Sequence, residues 1–147
     1  DLFHAALANP HDIQLAEELA LTRRYLEIEA IRFGPRLRTT WCLPDALPSV
    51  KVPALSIQPL VENAVRHGIE RLPEGGEIDI TVTAGETAVI VTVRNRIPAE
   101  TGAQAQTGHS IGIQATQARL HASTDGRGSL ESSRNGDHYI VEMTLPL

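Results

Sequence analysis

Four polar residues whose side chains could do chemistry together occur in the short stretch 56–69. Glu62, Asn63, Arg66 and His67 recur at three- and four-residue spacing, so on a helix they are neighbours on one side. That side would present a carboxylate, an amide, a guanidinium and an imidazole within about one and a half turns. The residue types alone leave two interpretations open, which are a ligand site and the solvated outer face of a helix.

The rest of this stretch is typical of an amphipathic helix that would hold the four groups in place. Apolar residues fall on its other side and predict contact with a core. We expect Ser56 to be the N-cap and Pro59 to lie in the first turn, where a missing N–H costs little. Gly68 is expected to end the helix. The apolar stripe consists of Ile57, Leu60, Val61, Ala64 and Val65.

The segment Leu60-Val-Glu-Asn-Ala-Val-Arg-His-Gly68 resembles the N-box of a sensor histidine kinase of the LytS/AlgZ type, whose kinase domain has the Bergerat (GHKL) ATP-binding fold. The resemblance implies that Asn63 is a ligand of the Mg²⁺ bound to ATP and that Arg66 contacts the phosphates. It also implies that Glu62 orients metal-bound water and that His67 borders the phosphates. Mg²⁺ often takes only one or two protein oxygens beside the phosphates, and an Arg fork matches phosphate oxygens. Glu62 and Asn63 would be the catalytic residues.

A second segment resembles the same kinases through Leu15-Ala-Glu-Glu-Leu19 and the residues that follow it to Leu37. Its apolar periodicity predicts a long helix capped by Asp12 and extending to about Phe33, where Gly34-Pro35 would end it. We interpret Glu27, Glu29 and Arg32 of this helix as surface pairs at i, i+3 spacing, which contribute little to stability. The segment therefore serves as a marker of the family.

The place of the family's first glycine box, Asp-x-Gly-x-Gly, is occupied by Val93-Arg-Asn-Arg-Ile-Pro-Ala99. Asn95 stands where the aspartate would be, and Ile97 and Ala99 replace the two glycines. The resemblance implies that Asn95 accepts from the adenine amine through its carbonyl, without the charge assistance of a carboxylate. The alternative is an asparagine that ends a strand in a turn.

The chain between Ala99 and Gln106 is small and polar, and it corresponds to the family's ATP lid, which we place at about 96–110. The following Gly108-His-Ser-Ile-Gly-Ile113 resembles the second glycine box. In that box, backbone N–H groups and the start of a helix bind phosphate. A serine replaces the middle glycine here. The residues implied in nucleotide contacts are Gly108, Ser110, Ile111 and Gly112.

Alternating apolar residues predict strands, and together with the helices they indicate an α/β two-layer sandwich. Its mixed, mainly antiparallel sheet would be covered on one face by helices, as in the Bergerat ATP-binding fold. We assign 12–147 to the catalytic ATP-binding domain and 1–11 to a remnant of the dimerisation and phosphoacceptor region. His4 lacks the motif that accompanies the acceptor histidine in the family, so we expect the acceptor to lie upstream. The strands are expected at 36–43, 77–83, 87–94, 129–133 and 138–145, and a further helix at 114–121.

Composition is consistent with one globular domain and excludes some partners. With 13 Lys and Arg against 18 Asp and Glu, the net charge of −5 provides no basic footprint for nucleic acid. No apolar run approaches the length of a membrane span, so we expect no direct membrane contact. The single cysteine, Cys42, suits a reducing compartment, and we expect it to be a small buried residue. Because the first residue is Asp1, we expect a fragment.

The resemblance implies the ATP-binding catalytic domain of a two-component sensor histidine kinase, with ATP and Mg²⁺ as cofactors. It would supply the γ-phosphoryl group for histidine phosphorylation and relay to a response regulator of the LytTR type. The full-length protein would be a membrane-anchored homodimer with this domain in the cytoplasm. Two alternatives stay open: a degenerate, non-catalytic nucleotide-binding or dimerisation module, and another GHKL enzyme such as an anti-sigma-factor serine kinase. Pro59 occupies the place of a water-activating carboxylate, which disfavours an ATPase.

Overall fold

The computed structural model describes residues 12–98 and 111–147, and for Ile111 and Gly112 it describes the backbone alone. The expected dimerisation remnant with His4 lies outside the described residues. So do the expected lid from Ala99 onward and the predicted contacts Gly108 and Ser110. None of the described helices is long and apolar enough to cross a membrane.

The described residues form seven strands and three α-helices, close to the elements that the sequence predicts. Short 3₁₀ turns at Gly34–Arg36 and Ile69–Arg71 follow the first two helices. The strands are β1 (Asp12–Gln14), β2 (Leu37–Cys42), β3 (Lys51–Pro53), β4 (Gly76–Ala84), β5 (Ala88–Arg96), β6 (Ser129–Asn135) and β7 (His138–Pro146). The helices are α1 (Leu15–Phe33), α2 (Gln58–His67) and α3 (Ile111–Ser123).

Five strands form one sheet in the order β2-β4-β5-β7-β6. β2 and β4 are parallel, and the other three neighbouring pairs are antiparallel. The remaining strands, β1 and β3, form a small antiparallel pair beside it. The predicted fold class, a mixed and mainly antiparallel sheet, is confirmed.

Helices cover one face of the large sheet because the strands alternate apolar and polar side chains. The inward row of β5, Val89, Val91 and Val93, is fully buried, and β4 and β7 contribute similar rows. The opposite face carries polar groups such as Asp79 and Arg94, whose side chains approach to 3.7 Å. The three helices pack over the apolar rows, with α2 between α1 and α3.

The first helix starts later than the sequence suggests. Asp12 does not cap it, because Asp12 lies in β1 and its carboxylate accepts hydrogen bonds from Ser123 Oγ at the end of α3. Gln14 and Glu17 instead form a capping box before the first turn. The predicted end of the helix is confirmed, since α1 ends at Phe33 and a 3₁₀ turn follows.

The prediction of a buried Cys42 is wrong, since this residue is exposed. It lies at the end of β2, an edge strand, on the face that the helices do not cover. Its neighbour Trp41 points the other way and is half-buried, with the guanidinium of Arg23 in α1 lying 4.3 Å from the ring centroid. The polarity of an edge strand's outer face depends on tertiary position, which alternation alone does not give.

Candidate functional site

Helix α2 carries the four predicted site groups, and its apolar side is buried as predicted. Leu60, Val61, Ala64 and Val65 are all at most 2% exposed. On the polar side Arg66 is exposed, and Glu62 and His67 are half-buried. Asn63 is 8% exposed, so its amide lies at the boundary between the core and solvent. The helix therefore has the amphipathic character that the spacing predicts.

The start of α2 is held by a residue that the sequence analysis did not select. Ser56 is not the N-cap, because the helix begins at Gln58 and Ser56 Oγ is buried with no hydrogen-bond partner among the described residues. The carboxylate of Glu18, from α1, takes its place. It accepts hydrogen bonds from the backbone N–H groups of Leu55 and Ile57 at 2.9 Å and of Gln58 at 3.1 Å.

The other end of α2 behaves as predicted. Gly68 ends the helix, and its N–H donates to the carbonyl of Ala64 at 3.0 Å. After the 3₁₀ turn that follows, Arg36 Nη2 donates to the carbonyls of Ile69 and Leu72 at 2.9 and 2.8 Å. Glu18 thus bonds to the start of α2, and Arg36 bonds to the 3₁₀ turn that follows its end.

The four polar groups do not all face the same neighbours, since successive residues on a helix point about 100° apart. Glu62 faces α1, and within α2 the Nε2 of Gln58 donates to its Oε2 at 2.9 Å. It lines an open groove of about 210 Å³ between α1 and α2, together with Arg66, Tyr25 and Glu29. The lining of this groove does not include Asn63 or Asn95.

Tyr25 in this groove is a neutral hydroxyl group at physiological pH. Burial raises the pKa of Tyr25 to about 12, and the negative charges of Glu29 and Glu62 add to the rise. The groove therefore combines a phenol with carboxylates and the exposed guanidinium of Arg66. Of the predicted site residues, Glu62 and Arg66 border it.

Asn95 lies against the far end of α2. It continues the inward row of β5 after Val93 and is 2% exposed, so it is a buried strand residue and not part of a turn. Its Nδ2 donates to the carbonyl of Arg96 at 3.0 Å. Gly68 packs directly on this group, since a Cβ at Gly68 would lie against Asn95 Nδ2 and 2.6 Å from the Arg96 carbonyl oxygen. The fold thus joins the C-terminal end of α2 to the predicted adenine contact.

His67 stands in the last turn of α2, one residue before this junction. Burial lowers the pKa of His67, and the positive charges of Arg66 and Arg71 lower it further. The imidazole is therefore mainly neutral at pH 7, so that one ring nitrogen donates a hydrogen bond and the other accepts one.

The helix that follows the second glycine-box segment is tied to the loop in front of α2. Ile111 and Gly112 are the first two residues of α3. Further along α3, Arg119 Nη1 donates to the carbonyl of Leu55 at 3.2 Å, and its Nη2 donates to the carbonyl of Ala54. In the loop before α2, backbone N–H groups thus donate to Glu18, and backbone carbonyls accept from Arg119.

The residues present fit a divalent cation that takes most of its ligands from a phosphate chain. Within the described part of the chain, no three His, Cys, Asp or Glu side chains come together to hold a metal ion. Mg²⁺ commonly uses one or two protein groups with substrate phosphates and water. The amide oxygen of Asn63, at the rim of the core, suits that role.

Three residues that bond to the backbone around α2, namely Glu18, Arg36 and Arg119, were not predicted from the sequence. Each is bonded to backbone groups more than 30 residues away. A polar residue on the apolar side of α1 was a usable signal for Glu18, since it stands beside Leu15 and Leu19 in the buried stripe. Arg36 and Arg119 carry no comparable signal in the periodicity.

Comparison with known proteins finds sensor histidine kinases. The chain is 36% identical to the sensor histidine kinase BtsS of Escherichia coli (strain K12) over 80 residues, which are 54% of this chain and 14% of that protein. It is 37% identical to the sensor histidine kinase/phosphatase LytS of Staphylococcus aureus (strain MRSA252) over 83 residues, 56% of this chain and 14% of LytS. The chain thus spans less than a fifth of the length of these relatives.

The fold comparison extends over nearly the whole chain. The nucleotide-free catalytic domain of histidine kinase ThkA superposes with a TM-score of 0.69 at 16% identity, covering 94% of this chain and 97% of that one. No protein-family model matches the chain.

Proposed function

Because the chain resembles LytS-type sensor histidine kinases in sequence and has the fold of a histidine kinase catalytic domain, we propose that it binds ATP with Mg²⁺ along α2. The observation that carries this proposal is the junction of Gly68 with Asn95. Asn95, whose amide would accept from the base, lies at one end of the helix whose polar side carries Asn63 and Arg66. A nucleotide has the same order of parts, with a base at one end and phosphates at the other.

Each predicted residue then has a chemical role in the proposal. The amide oxygen of Asn63 would hold Mg²⁺, and Arg66 would bind phosphate oxygens. Glu62 would orient a metal-bound water through the carboxylate oxygen that Gln58 does not engage. His67 would border the phosphates as a neutral group. When bound, Mg²⁺ neutralises negative charge on the phosphates. Phosphate contacts from the glycine-rich segment would come from Gly108, Ser110, Ile111 and Gly112.

Asn95 would meet the base through its amide oxygen. Its nitrogen already donates to Arg96, so the oxygen is the atom available to accept from the adenine amine. A neutral amide forms a weaker bond than a carboxylate would. We therefore expect a weaker contribution from the base than from the phosphates.

The reaction proposed for this site is transfer of the γ-phosphoryl group of ATP to a histidine. The bond from Pγ to the β–γ bridging oxygen breaks, a bond from Pγ to an imidazole nitrogen forms, and ADP leaves. Such transfers depend on positioning and charge neutralisation. The acceptor would be a histidine outside this sequence, so we expect no self-phosphorylation by residues 1–147 alone.

For the whole protein we propose a membrane-anchored homodimer that carries this domain in the cytoplasm. The phosphoryl group would pass from the histidine to an aspartate of a response regulator, of the LytTR type. Phosphorylation of the full-length protein with radiolabelled ATP, followed by addition of the candidate regulator, tests this sequence of steps.

Isothermal titration with Mg-ADP tests nucleotide binding directly. We expect Asn63→Ala to lose more than about tenfold in affinity for Mg-ADP, because loss of a metal ligand weakens binding at least as much as loss of a group that supports one. Binding in EDTA should change little, because that affinity does not depend on a metal ligand.

The matched control is Asn135→Ala, which removes an exposed amide in the β6–β7 hairpin. It should bind as the unchanged protein does. Absence of heat at millimolar nucleotide for the unchanged protein would contradict the proposal and support a non-catalytic module. Equal binding by Asn63→Ala would remove Asn63 from the site.

A further inference from the structure

Residues that do not touch the proposed nucleotide hold the helix that does. Glu18 is completely buried, and its carboxylate accepts from three backbone N–H groups of the loop and first turn before Leu60. Two of them, the N–H groups of Ile57 and Gln58, belong to the helix start, where N–H groups have no partner inside the helix. A negative charge at this end also complements the helix dipole.

The loop that Glu18 holds contains a strained residue, whose conformation must be supported by surrounding contacts. Leu55 has a φ of +59° although it is not glycine. A side-chain-bearing residue in this region costs about 1–2 kcal/mol and persists where surrounding contacts fix it. The carboxylate of Glu18 accepts from the N–H of Leu55, and the guanidinium of Arg119 donates to its carbonyl.

Arg36 holds the opposite end through the 3₁₀ turn. Its Nη2 donates to the carbonyls of Ile69 and Leu72. The backbone of Gly75 packs over Arg36 so closely that a Cβ at Gly75 would lie 2.6 Å from the Arg36 carbonyl carbon. A salt bridge of 3.0 Å between Arg32 and Glu70 lies beside it. The C-terminal end of α2 is thereby fixed against the turn after α1.

We propose that Glu18 and Arg36 are positioning residues of the nucleotide site, which fix the axial position and rotation of α2 so that Asn63 and Arg66 meet the metal and the phosphates. This inference rests on the proposed function for its ligand. It gives the segment from Leu15 to Leu37 a role in the site, although none of its residues is proposed to contact the nucleotide. The two motifs that most resemble LytS-type kinases are then parts of one site.

The first test compares Glu18→Gln with Glu27→Gln, since Glu27 is an exposed carboxylate on the same helix. The ratio of ADP affinity in Mg²⁺ to that in EDTA reports the contribution of the metal ion, which Asn63 would hold. A glutamine places an NH₂ group against backbone donors, so at least one charge-assisted bond is lost. We expect the ratio to fall by about tenfold in Glu18→Gln and to be unchanged in Glu27→Gln, both measured well below the melting temperature.

The second test uses Arg36, and it also serves if Glu18→Gln does not fold. Arg36→Met removes both bonds to the carbonyls, whereas Arg36→Lys keeps a cation with donors for both. We expect the affinity ratio to fall in Arg36→Met and to recover in Arg36→Lys. Arg38→Met, which alters an exposed guanidinium bonded to Pro35, is the control. A merely structural role would lower the melting temperature in Arg36→Met without changing the ratio.

Hydrogen exchange in the protein without nucleotide separates this inference from the proposed function. We expect the amides of residues 60–67 to exchange about tenfold faster in Glu18→Gln, while those of β5 and β7 do not change. Unchanged exchange along α2 would overturn the inference whether or not nucleotide binds. If the unchanged protein binds no nucleotide but α2 loosens, the proposed function fails while the fixing of the helix is retained. An unchanged affinity ratio in both Glu18→Gln and Arg36→Met would overturn the positioning role.

Discussion

The two ends of the proposed site are built from different kinds of structure. At the phosphate end, Asn63 and Arg66 project from a helix whose start is bonded to Glu18 and whose following 3₁₀ turn is bonded to Arg36. At the base end, Asn95 belongs to a central strand of the sheet, and its nitrogen is bonded to its own neighbour. Residue types expected for a LytS-type kinase are present at the first end and changed at the second.

This difference indicates which parts of the site depend on side-chain chemistry. Metal and phosphate binding needs particular oxygen and guanidinium groups, and these are present on α2. Base binding needs an acceptor in a place that the strand already fixes, and an asparagine there can still accept. The close backbone contact at Asn95 comes from Gly68, whereas positions 97 and 99 hold isoleucine and alanine.

The largest effect is expected from closing that approach with Gly68→Ala. The new Cβ would lie 2.6 Å from the Arg96 carbonyl oxygen and 2.7 Å from that of Ala64, both backbone atoms that cannot rotate away. We expect the free energy of unfolding to fall by about 3 kcal/mol, at the upper end for overpacking. Urea denaturation measures it.

The matched control is Gly76→Ala, where the nearest atom to the new Cβ is a side-chain carbon at 3.6 Å. That is an ordinary van der Waals contact, so the control should change stability much less. An equal loss in the two variants would show that the junction of Gly68 with Asn95 is not tight in solution.

A smaller effect is expected from Asn95→Asp, which places the family's carboxylate at the base end. Without ligand, its oxygen would face the carbonyl of Arg96 and replace a hydrogen bond with repulsion in a site that is 2% exposed. We expect the free energy of unfolding to fall by about 1–2 kcal/mol. The adenine amine would provide a partner, so ADP should stabilise this variant more than it stabilises the unchanged protein.

Thermal melting with and without Mg-ADP checks this prediction, and Asn135→Asp in the exposed hairpin is the control. If ADP stabilises Asn95→Asp less than the unchanged protein, Asn95 does not meet the adenine amine. The base would then have to bind elsewhere, while the phosphate end would be unaffected.

Periodicity predicted the parts of the site that depend on local structure. The 3.6-residue pattern of α2 placed Leu60, Val61, Ala64 and Val65 in the core. The two-residue pattern of β5 also indicates an inward-facing Asn95, since the inward row of Val91 and Val93 continues to it. The turn interpretation of Asn95 failed because the strand was expected to end two residues early.

Contacts between distant segments could not be predicted in this way. Ser56 satisfies the local rule for an N-cap, but the carboxylate that caps α2 comes from Glu18, 39 residues before Ile57. Asp12 satisfies the same rule, yet pairing of β1 with β3 moves the helix start to Leu15. In both cases a tertiary contact replaced the local choice, and only the packed fold determines which group is nearest.

The smallest expected effect, the titration of His67, tests the electrostatics between the two ends. Burial and the charge of Arg66 lower the pKa of His67 below its ordinary value of 6.5. Its neutral form therefore contributes stability that is present above pH 6.5 and is lost as the pH falls through the folded-state value.

NMR titration of the ring signals, assigned by their loss in His67→Gln, measures this pKa directly. In Arg66→Gln the pKa should rise but stay below 6.5, because burial is the larger cause. With ADP bound, the phosphate charge should raise it in the unchanged protein, and an unaltered value would place the phosphates away from His67.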